Sequence, residues 1–195
     1  MFIVRFLVVA LLAAIAVILG AVAYMGGFQK VEIARGSFGP AEIVFTTHRG
    51  PYREIGASWE RFADEFAAEG FTRCNALAIY LDPPDAAPED LRSILACRID
   101  GLDEAEKRAL AARFSHAVLP RTETFTASFP YRNYASYILA PMKVYPAFAK
   151  HDGGEAGDAL LAIEVYGVEG EFDEIGFVLP IGAEPSDYQA LYDAF

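Results

Sequence analysis

The stretch Val44–Tyr52, VFTTHRGPY, joins a strand pattern to a helix pattern. After it, apolar side chains recur every three or four residues, as they do on the buried face of an amphipathic helix. These side chains are Tyr52, Ile55, Trp59, Phe62 and Phe66. Gly50 and Pro51 suit the sharp turn between the two elements, and Gly70 suits the end of the helix. The pattern therefore predicts a strand over 42–48 and a helix over 52–69.

The same pattern occurs again in the second half of the chain. Thr122–Phe129 alternates like a strand, and Phe129–Arg132 repeats the character of Gly50–Arg53. An apolar stripe follows over 134–150, although its two prolines should kink or interrupt a helix there. The remaining predicted strands are 76–80 and 93–99 in the first half, and 161–166 and 174–181 in the second.

Two copies of strand–helix–strand–strand predict an α+β domain with a curved, largely antiparallel sheet and two long helices. Two similar halves usually meet at a pseudo-two-fold axis, so the cleft between them is the expected ligand site. The domain is assigned to 41–182, after a linker over 28–40 and before a C-terminal tail over 183–195. A short helix is expected to begin at Asp103, because Glu106 three residues later completes a capping-box pattern.

The N-terminus carries the hydrophobic segment of the chain. No charged residue lies between Phe6 and Phe28, and a run of this length can cross a bilayer as a helix. We favour a transmembrane anchor within 1–27, in contact with the membrane through residues 3–25. A cleaved signal peptide is the alternative, since Ala21–Ala23 has the small-x-small form of a cleavage site. Positive charges on both flanks leave the side of the membrane undetermined.

The rest of the chain is acidic. All 27 aspartates and glutamates lie after residue 30, and the net charge of the whole chain is −11. This charge disfavours nucleic acid as a partner and favours cationic ligands or basic proteins, although solubility alone also explains it. Cys74 and Cys97 fall on neighbouring predicted strands. Buried free thiols are the favoured interpretation, and a disulfide is the alternative if the domain is exported.

Catalytic and metal-binding patterns are absent from the sequence. It contains no Gly-x-Ser-x-Gly elbow, and its three histidines, His48, His116 and His151, are too far apart to suggest a metal site or a Ser–His pair. We therefore expect no catalytic residue, no metal and no cofactor.

Three motifs in order resemble the GyrI-like domain, also called the bacterial effector-binding domain. They are His48–Tyr52 before a helix, Tyr80-x-Asp82-x-Pro84 after a strand, and Glu164-x-Tyr166 before a strand that ends in Pro180-Ile181. The resemblance covers 40–182. It implies a duplicated strand–helix–strand–strand (SHS2-type) fold that binds small molecules, often lipophilic cations. Other members carry a DNA-binding helix-turn-helix; here a hydrophobic segment stands in its place.

The layout is also similar to that of an anchored GyrI-like autophagy receptor of the animal endoplasmic reticulum. That receptor carries its partner-binding motif on a long disordered tail, and this chain is expected to lack such a tail. The receptor's function is therefore not carried over.

The resemblance assigns the acidic pocket residue to Glu164. A carboxylate at this place either faces solvent or is buried and needs a partner, and the sequence leaves both open. The aromatic residues that could wall the pocket and contact a cation are Trp59, Tyr80, Tyr131, Tyr134 and Tyr166. Trp59 is on the helical stripe and is equally a core candidate, so Tyr131 and Tyr134 are the preferred walls.

The favoured function is a membrane-anchored, non-enzymatic module that binds a hydrophobic small molecule, which can be cationic, between its two halves. The first alternative is an adaptor that recruits a protein through its acidic surface. The second is a hydrolase that uses Glu164 as a base, since the resemblance includes hydrolases of strained rings.

Overall fold

A computed structural model describes residues 2–151, 153, 161–168 and 170–195. It begins with one long helix, α1 (Phe2–Tyr24), none of whose residues is buried. By length and composition α1 is a candidate membrane span, and a signal sequence would have the same character.

The first half of the domain contains the predicted strand–helix–strand–strand unit. Its elements are β2 (Ala41–Arg49), α2 (Ile55–Ala68), β3 (Asn75–Tyr80) and β4 (Arg92–Arg98). A 3-10 turn at Tyr52–Glu54 joins β2 to α2. Gly70 follows α2 with a φ of 90°, a conformation that favours glycine, so its predicted role at the helix end is confirmed.

The second half repeats the unit. Its elements are β6 (Thr122–Pro130), α4 (Ser136–His151), β7 (Ala162–Val168) and β8 (Glu174–Pro180). α4 continues through Pro141 and Pro146, so the predicted interruption does not occur. The other predicted effect of these prolines, a kink, stays a prediction. Burial of Ala140, Val144 and Phe148 in one cluster with the sheet holds the helix together across both prolines.

The eight strands of the described residues, which include β1 (Ala34–Phe38) and β5 (Ser115–Leu119), form one antiparallel sheet in the order β1-β6-β8-β7-β3-β4-β2-β5. The two halves occupy equivalent positions in this order. β2, β4 and β3 of the first half correspond to β6, β8 and β7 of the second. The two halves meet where β3 pairs with β7, and Ile79 faces Ile163 in that register. The predicted α+β class, the curved antiparallel sheet and the two long helices are therefore confirmed.

Two strands were not predicted. β1 (Ala34–Phe38) lies in the segment expected to be a linker, and β5 (Ser115–Leu119) follows the short helix α3 (Glu104–Ala111). Each forms an outer strand of the sheet on the opposite half: β1 pairs with β6, and β5 pairs with β2. This exchange ties the halves together at both edges of the sheet.

The cores lie on both faces of the sheet. α2 covers one cluster around Phe62 and Phe66, and α4 covers another around Phe125 and Phe177. The opposite face is closed by the C-terminal segment, which contains a 3-10 turn (Pro185–Tyr188) and α5 (Gln189–Tyr192). Its Tyr188 and Leu191 are buried with Ile79 and Ile163.

Cys74 and Cys97 form a disulfide, with Cα atoms 5.0 Å apart. The favoured interpretation of the sequence, two free thiols, is therefore wrong. The bridge is possible because antiparallel pairing places Cys97 opposite Ala76, the second residue of β3. Cys74 directly precedes β3 and is therefore within reach.

Candidate functional site

Glu164 lies at the junction of the two halves and is buried, with only 3% of its surface exposed. It faces Ala78 across the β3–β7 pair, and Tyr80 faces Ala162 in the same register. Alternation along β7 places it on the face opposite Ile163, toward α2 and α4 rather than toward the C-terminal segment. The alternative that the sequence left open, a solvent-exposed Glu164, is therefore wrong.

Three tyrosine hydroxyls donate hydrogen bonds to this carboxylate. Tyr145 of α4 donates to Oε1 at 2.8 Å, and Tyr80 of β3 donates to Oε2 at 3.3 Å. Tyr166, two residues along β7, donates to Oε2 as well. The donors come from both halves of the domain, so the site exists only once the halves have been brought together.

Burial raises the pKa of Glu164, and the hydrogen bonds from Tyr166, Tyr145 and Tyr80 oppose that rise. Within the described chain, no basic side chain is among the groups that lower this pKa. The pKa values of the three tyrosines are themselves well above the ordinary value, first because of burial and further because of the nearby carboxylate. They therefore remain neutral donors at physiological pH, and the ionised site carries an uncompensated negative charge.

Aromatic rings extend from this carboxylate to the surface. Tyr166 contacts Tyr137, with ring centroids 5.5 Å apart, and Tyr137 contacts Tyr131 at 5.2 Å. Tyr134, 78% exposed, lies at the outer end and contacts Tyr137 at 5.7 Å. The ring of Phe172 packs on that of Tyr131, with centroids 4.6 Å apart.

On the other side of the carboxylate, Tyr80 is held by the first half. Its ring meets the edge of Tyr52 with centroids 4.7 Å apart, and the Tyr52 hydroxyl donates to the backbone oxygen of Asp82 at 2.6 Å. Burial raises the pKa of Tyr52 to about 12. The Asp82 carboxylate is bound in turn by Arg92, at 2.7 Å. The motif residues Tyr52, Tyr80 and Asp82 thus fix the loop beside the site.

The structure brings together five of the six predicted site residues: Glu164, Tyr80, Tyr131, Tyr134 and Tyr166. The sixth, Trp59, packs instead beside Phe62 in the cluster under α2. Sequence reasoning missed Tyr145, Tyr137 and Phe172 as site residues. The two tyrosines were visible on the second helical stripe, but only the fold shows which side of that helix faces Glu164.

Other possible sites are less developed. Among the described residues, no group of His, Cys, Asp or Glu could hold a metal ion. His48 shares a hydrogen bond with Ser58 of α2 at 3.0 Å. It lines an open groove of about 710 Å³ between β2 and α2, together with the exposed Arg53 and Arg61.

Comparison with solved structures shows the same fold at low sequence identity. SAV2435 bound to tetraphenylphosphonium superposes with a TM-score of 0.57 at 11% identity, over 82% of this chain and 99% of that one. A bacterial transcription regulation protein from Staphylococcus aureus MU50 gives 0.54 at 11% identity, over 78% and 99%. An integron cassette protein of Vibrio cholerae gives 0.52 at 13% identity, over 78% and 96%.

No protein-family model matches the chain, and no curated protein matches it. At 11–13% identity these structural similarities show a shared fold.

Proposed function

We propose that this protein is a membrane-anchored, non-enzymatic module that binds a hydrophobic cation at Glu164, between its two halves. The observation that carries the proposal is a buried carboxylate held by three neutral tyrosine hydroxyls, with no basic side chain of the described residues lowering its pKa. Such a site is complementary to a positive charge that arrives with a ligand.

The energetics favour a cation over a neutral ligand. An ionised carboxylate in an apolar environment lacks the stabilisation that water gives it, and a bound cation restores part of that stabilisation. Tyrosine rings add to this, because their faces attract a cation by about 0.5–2 kcal/mol each. The ring of Tyr166 lies beside the carboxylate, and the rings of Tyr137 and Tyr131 follow it toward the surface.

SAV2435, which has the same fold, is bound to tetraphenylphosphonium, a cation that consists of a phosphorus atom with phenyl substituents. That complex supports the proposed ligand class for this chain. It does so only by analogy of fold, and the physical case rests on Glu164 and its tyrosines.

The anchoring part of the proposal rests on α1. Its 23 residues span about 35 Å as a helix, which is enough for a hydrocarbon core of about 30 Å. The first measurement is the intact mass of the protein from washed membranes. Retention of residues 1–27 supports an anchor, and a mature N-terminus after Ala23 overturns it.

The ligand is tested by thermal unfolding of the full-length protein in lipid nanodiscs, with tetraphenylphosphonium and with a neutral aromatic compound of similar size. At a hundredfold excess over Kd, a bound ligand stabilises a protein by about 2.7 kcal/mol, which raises the Tm of a domain this size by several degrees. We expect this shift for the cation alone and its loss in Glu164→Gln.

The matched control is Glu60→Gln, which removes the same charge from the exposed face of α2. It should retain the shift, and it also accounts for cation that partitions into the lipid. A wild-type protein that is folded but unresponsive would overturn the proposal. That result would favour the alternative of protein recruitment by the acidic surface.

A further inference from the structure

The outer face of α4 is apolar and exposed. Its side chains Tyr134 (at the entrance of the helix), Ile138 and Met142 are 78%, 61% and 69% exposed and are spaced four residues apart. Side chains at this spacing form one stripe along a helix. No aspartate or glutamate occurs anywhere in α4, although the chain as a whole is strongly acidic.

The equivalent helix of the first half has the opposite surface. α2 occupies the same place in its own unit, and its exposed residues include Glu60, Asp64 and Glu65. The fold therefore does not require an apolar surface at this place. The apolar stripe is a property of the second half alone, and an exposed stripe of this kind indicates a partner.

The end of α1 lies against the same helix. Lys143, the neighbour of Met142, donates hydrogen bonds to the backbone oxygens of Gly27 at 2.5 Å and Gln29 at 2.7 Å, just beyond the last turn of α1. Gly26 packs so closely on the end of β6 that a Cβ there would lie 2.9 Å from Pro130 Cγ. α4 is thus held at the point where the hydrophobic helix ends.

We propose that the outer face of α4, defined by Tyr134, Ile138 and Met142, lies in the interfacial layer of the bilayer that α1 spans. Its partner is lipid, because the helix that carries the stripe is bonded through Lys143 to the residues that directly follow the candidate membrane span α1. Lys150 at the end of α4 and Arg132 before its start are both exposed and suit the phosphates of headgroups. This inference rests on the anchoring role of α1 in the proposed function.

The test uses the full-length protein in nanodiscs with a polarity-sensitive fluorophore on single introduced cysteines. Both native cysteines are in the disulfide, so only the new thiol reacts. The labelled variants are Met142→Cys and Ile138→Cys on α4, Asp64→Cys on α2 as the matched control, and Ile15→Cys in α1 as the reference for insertion. Nitroxide attached to the upper acyl chain of the lipids then serves as the quencher.

We expect labels at 138, 142 and 15 to lose most of their fluorescence to lipid nitroxide, while the label at 64 loses little. If 15 is quenched and 142 behaves like 64, the anchor stands and the inference is overturned. If 15 is not quenched either, the anchoring itself fails. A label at 142 that is shielded from water-soluble iodide but not quenched by lipid indicates a covering protein, including a second copy of this chain, and also overturns the inference.

Discussion

At the scale of single residues, the buried carboxylate of Glu164 makes the stability of the protein depend on pH. Glu164 is buried and its pKa is raised above the ordinary value of 4.5. Between that value and the higher pKa of the folded state, the folded protein holds a proton that the unfolded chain has released. The free energy of unfolding of the unliganded protein therefore falls as pH rises through this interval, by about 1.4 kcal/mol for each unit of the pKa difference.

Glu164→Gln removes this charge with little change of shape. Without ligand, we expect the variant to be at least as stable as the wild type at neutral pH, and its advantage to shrink as pH falls toward 4.5. Urea unfolding at a series of pH values measures the difference. A variant clearly less stable than the wild type at neutral pH would mean that the unliganded carboxylate is not destabilising.

Tyr145→Phe removes the hydroxyl that donates to Glu164 Oε1. That hydrogen bond lowers the carboxyl pKa, so its loss should raise the pKa further. Because only the ionised carboxylate attracts a cation, we expect the pH midpoint of tetraphenylphosphonium binding to move upward. Affinity below that midpoint should fall by about tenfold or more, the effect of losing one hydrogen bond to a charged group.

Fluorescence titration of the cation across a pH series measures the midpoint. Tyr134→Phe is the matched control, since it deletes the same hydroxyl from a ring that is 78% exposed and does not contact the carboxylate. An unchanged midpoint in Tyr145→Phe would show that this hydroxyl does not tune the site.

At the scale of elements, the exchange of β1 and β5 depends on a close backbone crossing. Gly39, between β1 and β2, has a φ of 81°, and a Cβ there would lie 2.2 Å from the backbone oxygen of Pro120, between β5 and β6. The β1–β2 and β5–β6 connections therefore touch at a place where only glycine fits.

Gly39→Ala should be strongly destabilising, since the positive φ alone costs about 1–3 kcal/mol and the clash adds to it. Gly101→Ala, with no atom within 4 Å of the added Cβ, is the matched control and should have little effect. Denaturant unfolding of both variants measures the difference. Equal stability of the two would argue against this crossing.

At the scale of the whole molecule, the disulfide predicts on which side of the membrane the domain lies. Disulfides persist in oxidising compartments and are rare in the cytosol. The Cys74–Cys97 bridge therefore predicts that residues after α1 lie on the non-cytosolic side. The residues that it joins are 23 apart in sequence, and a loop of this length is worth about 3 kcal/mol of stability.

Two measurements check this prediction. Alkylation during cell lysis, without reductant, should leave both cysteines unmodified, and an impermeant protease should cleave the domain on intact cells or spheroplasts. Replacing both cysteines by alanine should lower the free energy of unfolding while leaving the orientation unchanged. Two alkylated thiols in the untreated protein would contradict the prediction.

Local patterns were sufficient to predict much of this fold. The apolar stripe from Tyr52 to Phe66 determined α2, and the repeat at Thr122–Arg132 revealed the duplication. The capping box of Asp103 and Glu106 forms as its spacing indicated. These features could be predicted because their physical cause lies within a few residues of the chain.

β1 and β5 could not be predicted in the same way. Each is five residues long and polar in part, and each is a strand only because a partner from the other half supplies its hydrogen bonds. Free thiols were wrongly favoured over the disulfide for the same reason, since the geometry of the bridge depends on the pairing of β3 with β4.

The sequence by itself determined the hydrophobic N-terminal helix, the two repeated units and the antiparallel α+β class, and its resemblance to the GyrI-like domain selected Glu164 as a candidate site residue. Only the tertiary structure decided that Glu164 is buried, that Tyr145 reaches it from α4, and that α4 lies at the end of α1. Burial and charge pairing are properties of the space around a side chain, and here that space is made by residues from both halves of the chain.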